Sequence, residues 1–342
     1  MKRPWLAPLV PLYRTGLAWR NLRLRRGADP VRRLQWPVIS IGNLSTGGLG
    51  KTPFAITLAK LLVAQGFNVD VLSRGYGRTS RLPAKVDPSG TAEQFGDEPL
   101  LIARSAGVPV YVAPQRYDAG LLAEADAKCE SARQNGARAD RFASAHILDD
   151  GFQHRQLHRD VDILLLNQED WRDTLLPAGN LREALLAAKR ADVLAIPADD
   201  IELERELAAW GWQGALWRLR RRMDVPHVEG TMFAFCGIAR PEQFFAGLAN
   251  AGLKVVARKA FRDHYDYTMH VAEWLLGQAR SVGACALVTT EKDLVRMGRL
   301  ASFFSTDLPL TTAKLSIEIE EERAAADWLA ARLAPASPPS SL

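Results

Sequence analysis

The chain has 342 residues, of which 47% are hydrophobic and 24% charged, a composition typical of one large or two smaller globular domains. Its three cysteines are far apart and form no CxxC pair, which indicates a reducing compartment and argues against a cysteine metal site. The net charge is +5, but residues 1–35 contain nine basic residues and one acidic residue, so residues 36–342 carry −3. This distribution argues against a nucleic-acid-binding surface over the whole body.

The first element is a basic and apolar N-terminal segment, residues 1–35. Its uncharged stretch Pro4–Tyr13 is too short to span a bilayer. Trp5, Tyr13 and Trp19 lie among leucines and arginines, a mixture typical of a helix at a membrane surface. We therefore predict that this segment associates with a membrane; the alternative is a helix that packs against the protein core.

Residues 36–222 predict a nucleotide-binding domain. Val38–Ile41 has the apolar, β-branched composition of a buried strand, and the helical spacing after the following glycine-rich loop ends at Gly66. Further short apolar strands alternate with helical stretches, among them 117–133 and 181–190. This alternation predicts an α/β fold of the P-loop NTPase type, with a parallel sheet covered by helices on both faces.

The composition changes at residues 217–230, where basic residues precede a new series of strand and helix patterns. We read residues 223–333 as a second, smaller α/β domain. Residues 334–342 are rich in proline and serine and predict a disordered tail.

The sequence SIGNLSTGGLGKTP, residues 40–53, predicts a phosphate-binding loop. Its glycines let backbone N–H groups approach a phosphate, Lys51 can reach the β- and γ-phosphates, and the Thr52 hydroxyl can bind Mg²⁺. The strict GxxxxGK[ST] pattern has glycine where this chain has Ser45, but GGxGKT is intact and lies between a predicted strand and helix. The residues expected to bind the nucleotide are Ser45, Thr46, Gly47, Gly48, Leu49, Gly50, Lys51 and Thr52.

The sequence HILDDGFQH, residues 146–154, predicts a metal site. An apolar strand that ends in acidic residues is where a P-loop protein holds Mg²⁺, so either Asp149 or Asp150 is a candidate ligand. Gln153 and His154 follow on the same turn, where they could contact phosphate or magnesium or have a structural hydrogen-bonding role.

Candidates for acid–base chemistry lie in segments far apart in the chain. Asp97 and Glu98 of FGDEP follow a glycine and precede a proline, a position that suits a general base or, more simply, a helix N-cap. Asp263 and His264 belong to FRDHYDYT, and a lone histidine is often structural. Arg182 of PAGNLRE could bind a phosphate or lie exposed at a helix start.

Seven motifs occur in order between Gly42 and Asp293: GNLSTGGLGKTP, SRGYGR, GDEP, LDDGFQH, PAGNLRE, FRDHYDY and TTEKD. This combination resembles the tetraacyldisaccharide 4′-kinases of lipid A biosynthesis. The resemblance implies Mg²⁺-dependent transfer of the ATP γ-phosphate to the 4′-hydroxyl of a tetraacylated glucosamine disaccharide 1-phosphate. It also implies peripheral or monotopic attachment to the anionic cytoplasmic face of the bacterial inner membrane, with no nucleic-acid partner and no obligate protein partner.

The resemblance also implies roles for individual residues. Asp97 would take the proton of the sugar hydroxyl, and His264 would orient or tune it. Lys51 and Thr52 would hold phosphate and magnesium, with Asp149 and Asp150 on the metal side. The other residues expected around the cleft are Arg74, Tyr76, Glu98, Gln153, His154 and Arg182.

Three other classes share part of this pattern. A membrane-associated P-loop ATPase switch of the partitioning or maturation type has the same loop, but it does not need FGDEP, FRDHYDY or a second α/β unit. A ligase of the dethiobiotin-synthetase type has a similar loop in a shorter, soluble chain. A nucleic-acid-binding scaffold would be favoured only by the basic pI of 9.2.

Overall fold

The computed structural model describes residues 3–28, 30–133, 143–226, 228–305 and 308–333. The tail predicted at residues 334–342 lies outside these ranges. Within them, the strands are β1 (Val38–Asn43), β2 (Asn68–Ser73), β3 (Ala84–Lys85), β4 (Val110–Val112), β5 (Ser144–Leu148), β6 (Val161–Leu165), β7 (Val193–Pro197), β8 (Ala215–Asp224), β9 (Thr231–Cys236), β10 (Lys254–Ala260), β11 (Ala286–Thr290) and β12 (Leu310–Ile319).

The helices of the described ranges alternate with these strands over most of the chain. They are α1 (Val10–Arg25), α2 (Lys51–Ala64), α3 (Ala92–Phe95), α4 (Asp97–Ala106), α5 (Arg116–Arg133), α6 (Gln168–Trp171), α7 (Ile201–Ala209), α8 (Pro241–Asn250), α9 (Met269–Ser281), α10 (Glu291–Met297) and α11 (Glu322–Leu333). Shorter 3₁₀ helices span Pro4–Leu9, Leu185–Arg190 and Gly298–Ser305.

The strands form one twelve-stranded sheet in the order β10-β9-β11-β12-β8-β7-β6-β1-β5-β2-β4-β3. Neighbouring strands are parallel except for the pairs β8–β12 and β3–β4, which are antiparallel. β1 lies between β5 and β6. β5 and β2 follow on one side of it and β6 and β7 on the other, so the direction in which strands are added reverses at β1. In open α/β sheets, ligands bind at the carboxyl ends of strands beside such a reversal, which is where the glycine-rich loop follows β1.

The predicted α/β architecture is confirmed, and the core explains it. β1 and β6 are buried along their whole length, as expected for parallel strands covered on both faces. α2 covers one face through Phe54, Leu58 and Leu62, and burial of each such side chain contributes roughly 1.5–3 kcal/mol. Close packing also fixes Gly42, because a Cβ there would lie 2.5 Å from the Cβ of Phe152.

The helix predicted over 181–190 is shorter than expected, and only its second half is helical. Leu181 forms an antiparallel bridge with Ser45, and the Arg182 amide donates a hydrogen bond to the Leu44 carbonyl. These backbone pairs hold the first half extended beside the glycine-rich loop. The 3₁₀ helix Leu185–Arg190 begins only after them.

The proposed division between residues 222 and 223 falls inside β8, which the antiparallel pairing joins to β12. The sheet therefore continues from the N-terminal part of the chain into the C-terminal part. α11 then returns to the first part, where Ala325, Ala326 and Leu329 belong to the same apolar cluster as Phe54.

The N-terminal helix α1 is attached to the body by a few polar contacts. The Tyr13 hydroxyl donates to the carbonyl oxygen of Arg182 at 3.0 Å, and Arg20 forms an ion pair with Glu183 at 2.9 Å. Trp5 is 72% exposed and Trp19 61% exposed. In the described part of the chain, every helix is too short or too polar to cross a bilayer.

Candidate active site

The glycine-rich loop connects β1 to the N-terminus of α2, as the sequence predicts. Gly47 and Gly50 have φ angles of 122° and 89°, a region that favours glycine. Lys51 is the first residue of α2, and Thr52, the second, is buried. Backbone N–H groups at a helix N-terminus, with a lysine beside them, form a site for the phosphates of a nucleotide.

The side chain of Asn43, the last residue of β1, organises this loop. Its Nδ2 donates to the Ser45 hydroxyl and to the Gly47 carbonyl, both at 3.2 Å. Its Oδ1 accepts from Lys51 Nζ at 2.8 Å. The buried Ser45 hydroxyl in turn donates to Asp170 Oδ2 at 2.9 Å. The serine that replaces a motif glycine therefore anchors the loop to α6, a role the sequence motif does not reveal.

The C-terminal part of the chain also contacts this loop. Arg221 of β8 donates to the Leu49 carbonyl at 2.6 Å, and Arg240, which precedes α8, pairs with Asp170 at 3.4 Å. Sequence reasoning missed both arginines, because nothing in their local sequence indicates that β8 and β9 lie next to the loop. Thr46 is fixed separately, since its amide donates to the Asn180 carbonyl at 2.8 Å.

Asp149 and Asp150 follow β5 and have opposite electrostatic environments. Burial alone would raise the pKa of Asp150, but Lys51 at 3.3 Å and Arg182 at 3.0 Å hold it well below its usual range. The pKa of Asp149 is raised to about 7, first by burial and then by the carboxylates of Glu98 and Asp150, although the nearby lysines lower it. Asp149 is thus a buried carboxylate whose charge a cation would stabilise.

Gln153 and His154 lie on the turn after these aspartates, as expected. Gln153 Nε2 donates to the Asn43 carbonyl at 2.8 Å, while its buried Oε1 has no hydrogen-bond partner among the described residues. The pKa of His154 is lowered to about 4, first by burial and then by the nearby cations Arg116, Arg159 and Arg74. His154 is therefore neutral at pH 7 and surrounded by positive charge, an environment suited to an anionic ligand.

Magnesium would have few protein ligands here. In the described ranges, no group of three or more His, Cys, Asp or Glu side chains is arranged to hold a metal ion. The residues present still fit this cation, because Mg²⁺ is commonly held by one or two carboxylates together with phosphate oxygens and water. The Thr52 hydroxyl and the buried Asp149 carboxylate provide such a partial set beside the loop.

The structure brings Asp97 and His264 together, although 167 positions separate them. Asp97 is the first residue of α4, and its Oδ2 lies 3.1 Å from His264 Nδ1. The hydrogen bond to Asp97 raises the pKa of His264. Burial would raise the pKa of Asp97, but His264 and the cations Lys292 and Arg296 hold it well below its usual range. The carboxylate is thus ionised at neutral pH.

Two neighbours of this pair belong to the predicted set. The exposed Tyr76 ring lies 5.3 Å from the His264 ring, and Glu98 pairs with Lys292 of α10 at 2.5 Å. The charge of Glu98 also raises the pKa of Asp149. α4, which begins at Asp97, packs against α2, the helix that follows the glycine-rich loop. Arg182 lies on the other side of that loop, where it donates to Asn43 Oδ1 at 2.6 Å.

Comparison with known proteins gives one consistent answer. The profile of the family described as "Tetraacyldisaccharide-1-P 4'-kinase" matches residues 2–334. The chain is 39% identical to the tetraacyldisaccharide 4′-kinase of Koribacter versatilis, covering 94% of this chain and 96% of that protein. It is 36% identical to the enzyme of the same name from Aquifex aeolicus, covering 94% and 97%.

A solved structure agrees with these sequence matches. The crystal structure of the "apo" form of LpxK from Aquifex aeolicus, in complex with ATP, has a TM-score of 0.72 and 32% identity. The match covers 96% of this chain and 98% of the other. The chain therefore belongs to the tetraacyldisaccharide 4′-kinase family.

Proposed function

We propose that this protein transfers the γ-phosphate of ATP to the 4′-hydroxyl of a tetraacylated glucosamine disaccharide 1-phosphate. In this reaction the hydroxyl oxygen bonds to the γ-phosphorus, the bond from that phosphorus to the β–γ bridging oxygen breaks, and ADP leaves. The observation that carries the proposal is the Asp97–His264 pair at the start of α4, the helix that packs against α2 and its phosphate-binding loop. A P-loop ATPase switch positions a water molecule as its nucleophile and has no sugar hydroxyl to bind beside such a pair.

The nucleotide would bind with its phosphates over residues 45–52. Lys51 Nζ now lies 2.8 Å from Asn43 and 3.3 Å from Asp150, so it is held close to the place where the phosphates would enter. Binding would exchange these contacts for the β- and γ-phosphate oxygens, and Asp150 would keep its ion pair with Arg182. Positive charge from Lys51 and from the N-terminus of α2 then stabilises the transferring phosphoryl group.

Magnesium would be held by Thr52 together with Asp149, Asp150 or both. When bound, Mg²⁺ neutralises charge on the phosphate oxygens and helps to align them for transfer. The support on the protein side is Asp149, a buried carboxylate whose nearest charged neighbours include two other carboxylates. Arg182 and Lys51 already balance the charge of Asp150, which favours Asp149 as the ligand that needs the cation.

Asp97 would accept the proton of the sugar hydroxyl, and His264 would orient it. General-base help of this kind contributes roughly 10²- to 10⁴-fold to a rate. Phosphoryl transfer has a loose transition state in which the hydroxyl bonds late, so a weakly basic carboxylate is sufficient if it is well placed. Placement is supported by burial, since Asp97 is only 5% exposed.

The remaining predicted residues would contact the acceptor and the phosphates. Arg74 and His154 lie in the positively charged region beside the turn after β5, which would attract a phosphate. Tyr76 stands exposed beside His264, where a sugar ring could pack against it. Arg182, Gln153 and Glu98 would hold the loop and cleft side chains in position through the contacts described above.

The acceptor carries four acyl chains, so its headgroup must be reached at a membrane surface. Trp5 and Trp19 are exposed, and basic residues surround them in the N-terminal segment. Basic residues near anionic lipid gain about 1 kcal/mol each. α1 contacts Arg182 and Glu183, next to the loop, so docking through α1 would bring the nucleotide site close to the membrane surface, here proposed to be the cytoplasmic face of the inner membrane.

The test mixes the purified protein, Mg²⁺ and γ-labelled ATP with detergent-dispersed tetraacyl disaccharide 1-phosphate, and follows label into the lipid fraction. We expect transfer by the wild type and none by Asp97→Ala or Lys51→Ala. Lys60→Ala, on the exposed side of the same helix as Lys51, serves as the matched control and should retain transfer. ATP hydrolysis without lipid labelling would reject the proposal and favour the ATPase switch.

A further inference from the structure

Arg296 of α10 makes a close contact with the Asp97 carboxylate, and none of the roles described above accounts for this contact. Its Nε lies 2.7 Å and its Nη2 2.6 Å from Asp97 Oδ2. The Arg296 side chain is only 7% exposed. The pair is therefore a buried, charge-assisted contact, a class that is stronger and more strictly oriented than a surface ion pair.

The guanidinium is itself held from behind. Its Nη1 donates to the Gly237 carbonyl and lies 3.2 Å from Asp293 Oδ1. Asp293 is fully buried and accepts from the Tyr267 hydroxyl and the Gly237 amide, both at 3.0 Å. These contacts hold the Arg296 guanidinium in one position, so a rotation of the Asp97 side chain would break its contact with Arg296.

The two carboxylate oxygens of Asp97 have different numbers of hydrogen-bond donors around them. Oδ2 is bound by Arg296 through two nitrogens and by His264 Nδ1. Oδ1 accepts the backbone amide of Glu98 at 3.0 Å, and no other donor to it occurs among the described residues. Oδ1 thus keeps a lone pair free for the hydroxyl of an acceptor.

The charged groups that face Asp97 come from two elements. Lys292 and Arg296 lie one helical turn apart on α10, and His264 lies with Asp263 in the loop after β10. Glu98 neutralises Lys292, and Asp293 with Asp263 partly offsets Arg296. Arg296 is consequently the permanent cation in direct contact with the carboxylate, and His264 contacts the same oxygen through Nδ1.

We propose that Arg296 is a positioning residue for phosphoryl transfer, which fixes the orientation of the Asp97 carboxylate and keeps it ionised so that Oδ1 meets the acceptor hydroxyl. This inference rests on the proposed role of Asp97 as the base. An arginine suits the task because its planar guanidinium can bind a carboxylate on one edge and a carbonyl on another. A lysine ammonium could supply the positive charge, but its flexible stem would not fix the orientation of the carboxylate.

The first experiment compares transfer by the wild type with that by Arg296→Gln and Arg296→Lys. Displacement of a reacting group by about 1 Å can cost 10²-fold, so we expect kcat of Arg296→Gln to fall by about that factor with little change in the KM for ATP. Loss of a cation in contact should move the acidic limb of its pH profile upward by about 1–3 pH units. Arg296→Lys should retain the position of the limb but recover kcat only in part.

The control is Arg299→Gln, which removes an exposed arginine three residues further along and should behave as the wild type. The second experiment does not depend on activity. Carboxyl-¹³C NMR, assigned with Asp97→Asn, should find Asp97 ionised throughout the accessible range in the wild type and titrating at higher pH in Arg296→Gln.

The proposal is overturned if Arg296→Gln transfers phosphate at the wild-type rate. It is also overturned if the rate falls while the pH profile and the NMR titration of Asp97 stay unchanged, because Arg296 would then contribute only to packing. Absence of transfer by the wild type would instead reject the proposed function. The NMR titration would still decide whether Arg296 sets the charge of Asp97.

Discussion

Replacement of Asp97 by asparagine tests the proposed base with the smallest change in shape. The carboxamide oxygen can still accept hydrogen bonds from Arg296 and His264, so the local packing is retained. The side chain can no longer take a proton. Any loss of transfer then measures the missing base and the missing charge.

The size of the expected effect follows from the contacts. Loss of a general base costs roughly 10²- to 10⁴-fold in kcat, or about 3–5 kcal/mol in the activation barrier. Arg296 keeps Asp293 and the Gly237 carbonyl, so it does not become an unpaired buried charge. We therefore expect the free energy of unfolding to fall by only about 1–3 kcal/mol, within the cost of one weakened charged hydrogen bond.

The assay measures label transfer to the lipid acceptor at saturating ATP, together with nucleotide affinity by calorimetry and urea unfolding. ATP affinity should stay within a few-fold of the wild type, because Asp97 contacts α10 and His264 and not the glycine-rich loop. Asp87→Asn removes an exposed carboxylate that caps a nearby turn, and it serves as the control. A kcat within about threefold of the wild type, in a folded Asp97→Asn protein, would refute the assignment of the base.

Three further predictions concern the loop, the sheet and the N-terminus. Lys51→Met should abolish transfer in the lipid-labelling assay and leave the circular dichroism spectrum unchanged, whereas Lys60→Met should change neither the transfer nor the spectrum. Burial alone would lower the pKa of His146, but Asp70 at 2.7 Å raises it to about 9. Because this folded-state value exceeds the unfolded value near 6.5, stability of up to about 3 kcal/mol is present below pH 6.5 and lost as the pH rises through 9. Urea unfolding at pH 6 and 10 should show this loss in the wild type and not in His146→Gln. An equal change in the free energy of unfolding between the two pH values in both proteins would contradict the prediction. Deletion of residues 1–27 should reduce co-sedimentation with anionic vesicles at least tenfold, and unchanged binding would exclude the N-terminal segment as the anchor.

The phosphate-binding loop is the part of the site that sequence reasoning found most completely. Strand, loop and helix are contiguous, and the glycines, the lysine and the threonine specify the backbone path and the charge within about fifteen residues. The observed β1 and α2 agree with the predicted strand and helix. The reason for Ser45 was not predictable, since its partner Asp170 lies 125 positions away.

The Asp97–His264 pair was only partly predictable from the sequence. Each residue stands in a motif that resembles a family pattern, yet nothing local to either segment brings them to 3.1 Å. Arg296 had no signal of its own, because an arginine in an amphipathic helix is usually solvated. Its importance appears only once α10 lies against α4.

The sequence by itself determined the class of fold, the strand and helix on either side of the glycine-rich loop, and the loop that would bind phosphate. These features depend on residues close together in the chain, where backbone propensity and apolar periodicity act directly. Only the tertiary structure decided which side chains complete the cleft. The antiparallel pairing of β8 with β12 joins the C-terminal part to the nucleotide-binding sheet, and that pairing places His264, Lys292 and Arg296 against α4. Such contacts depend on how distant elements pack, and packing is a property of the whole chain.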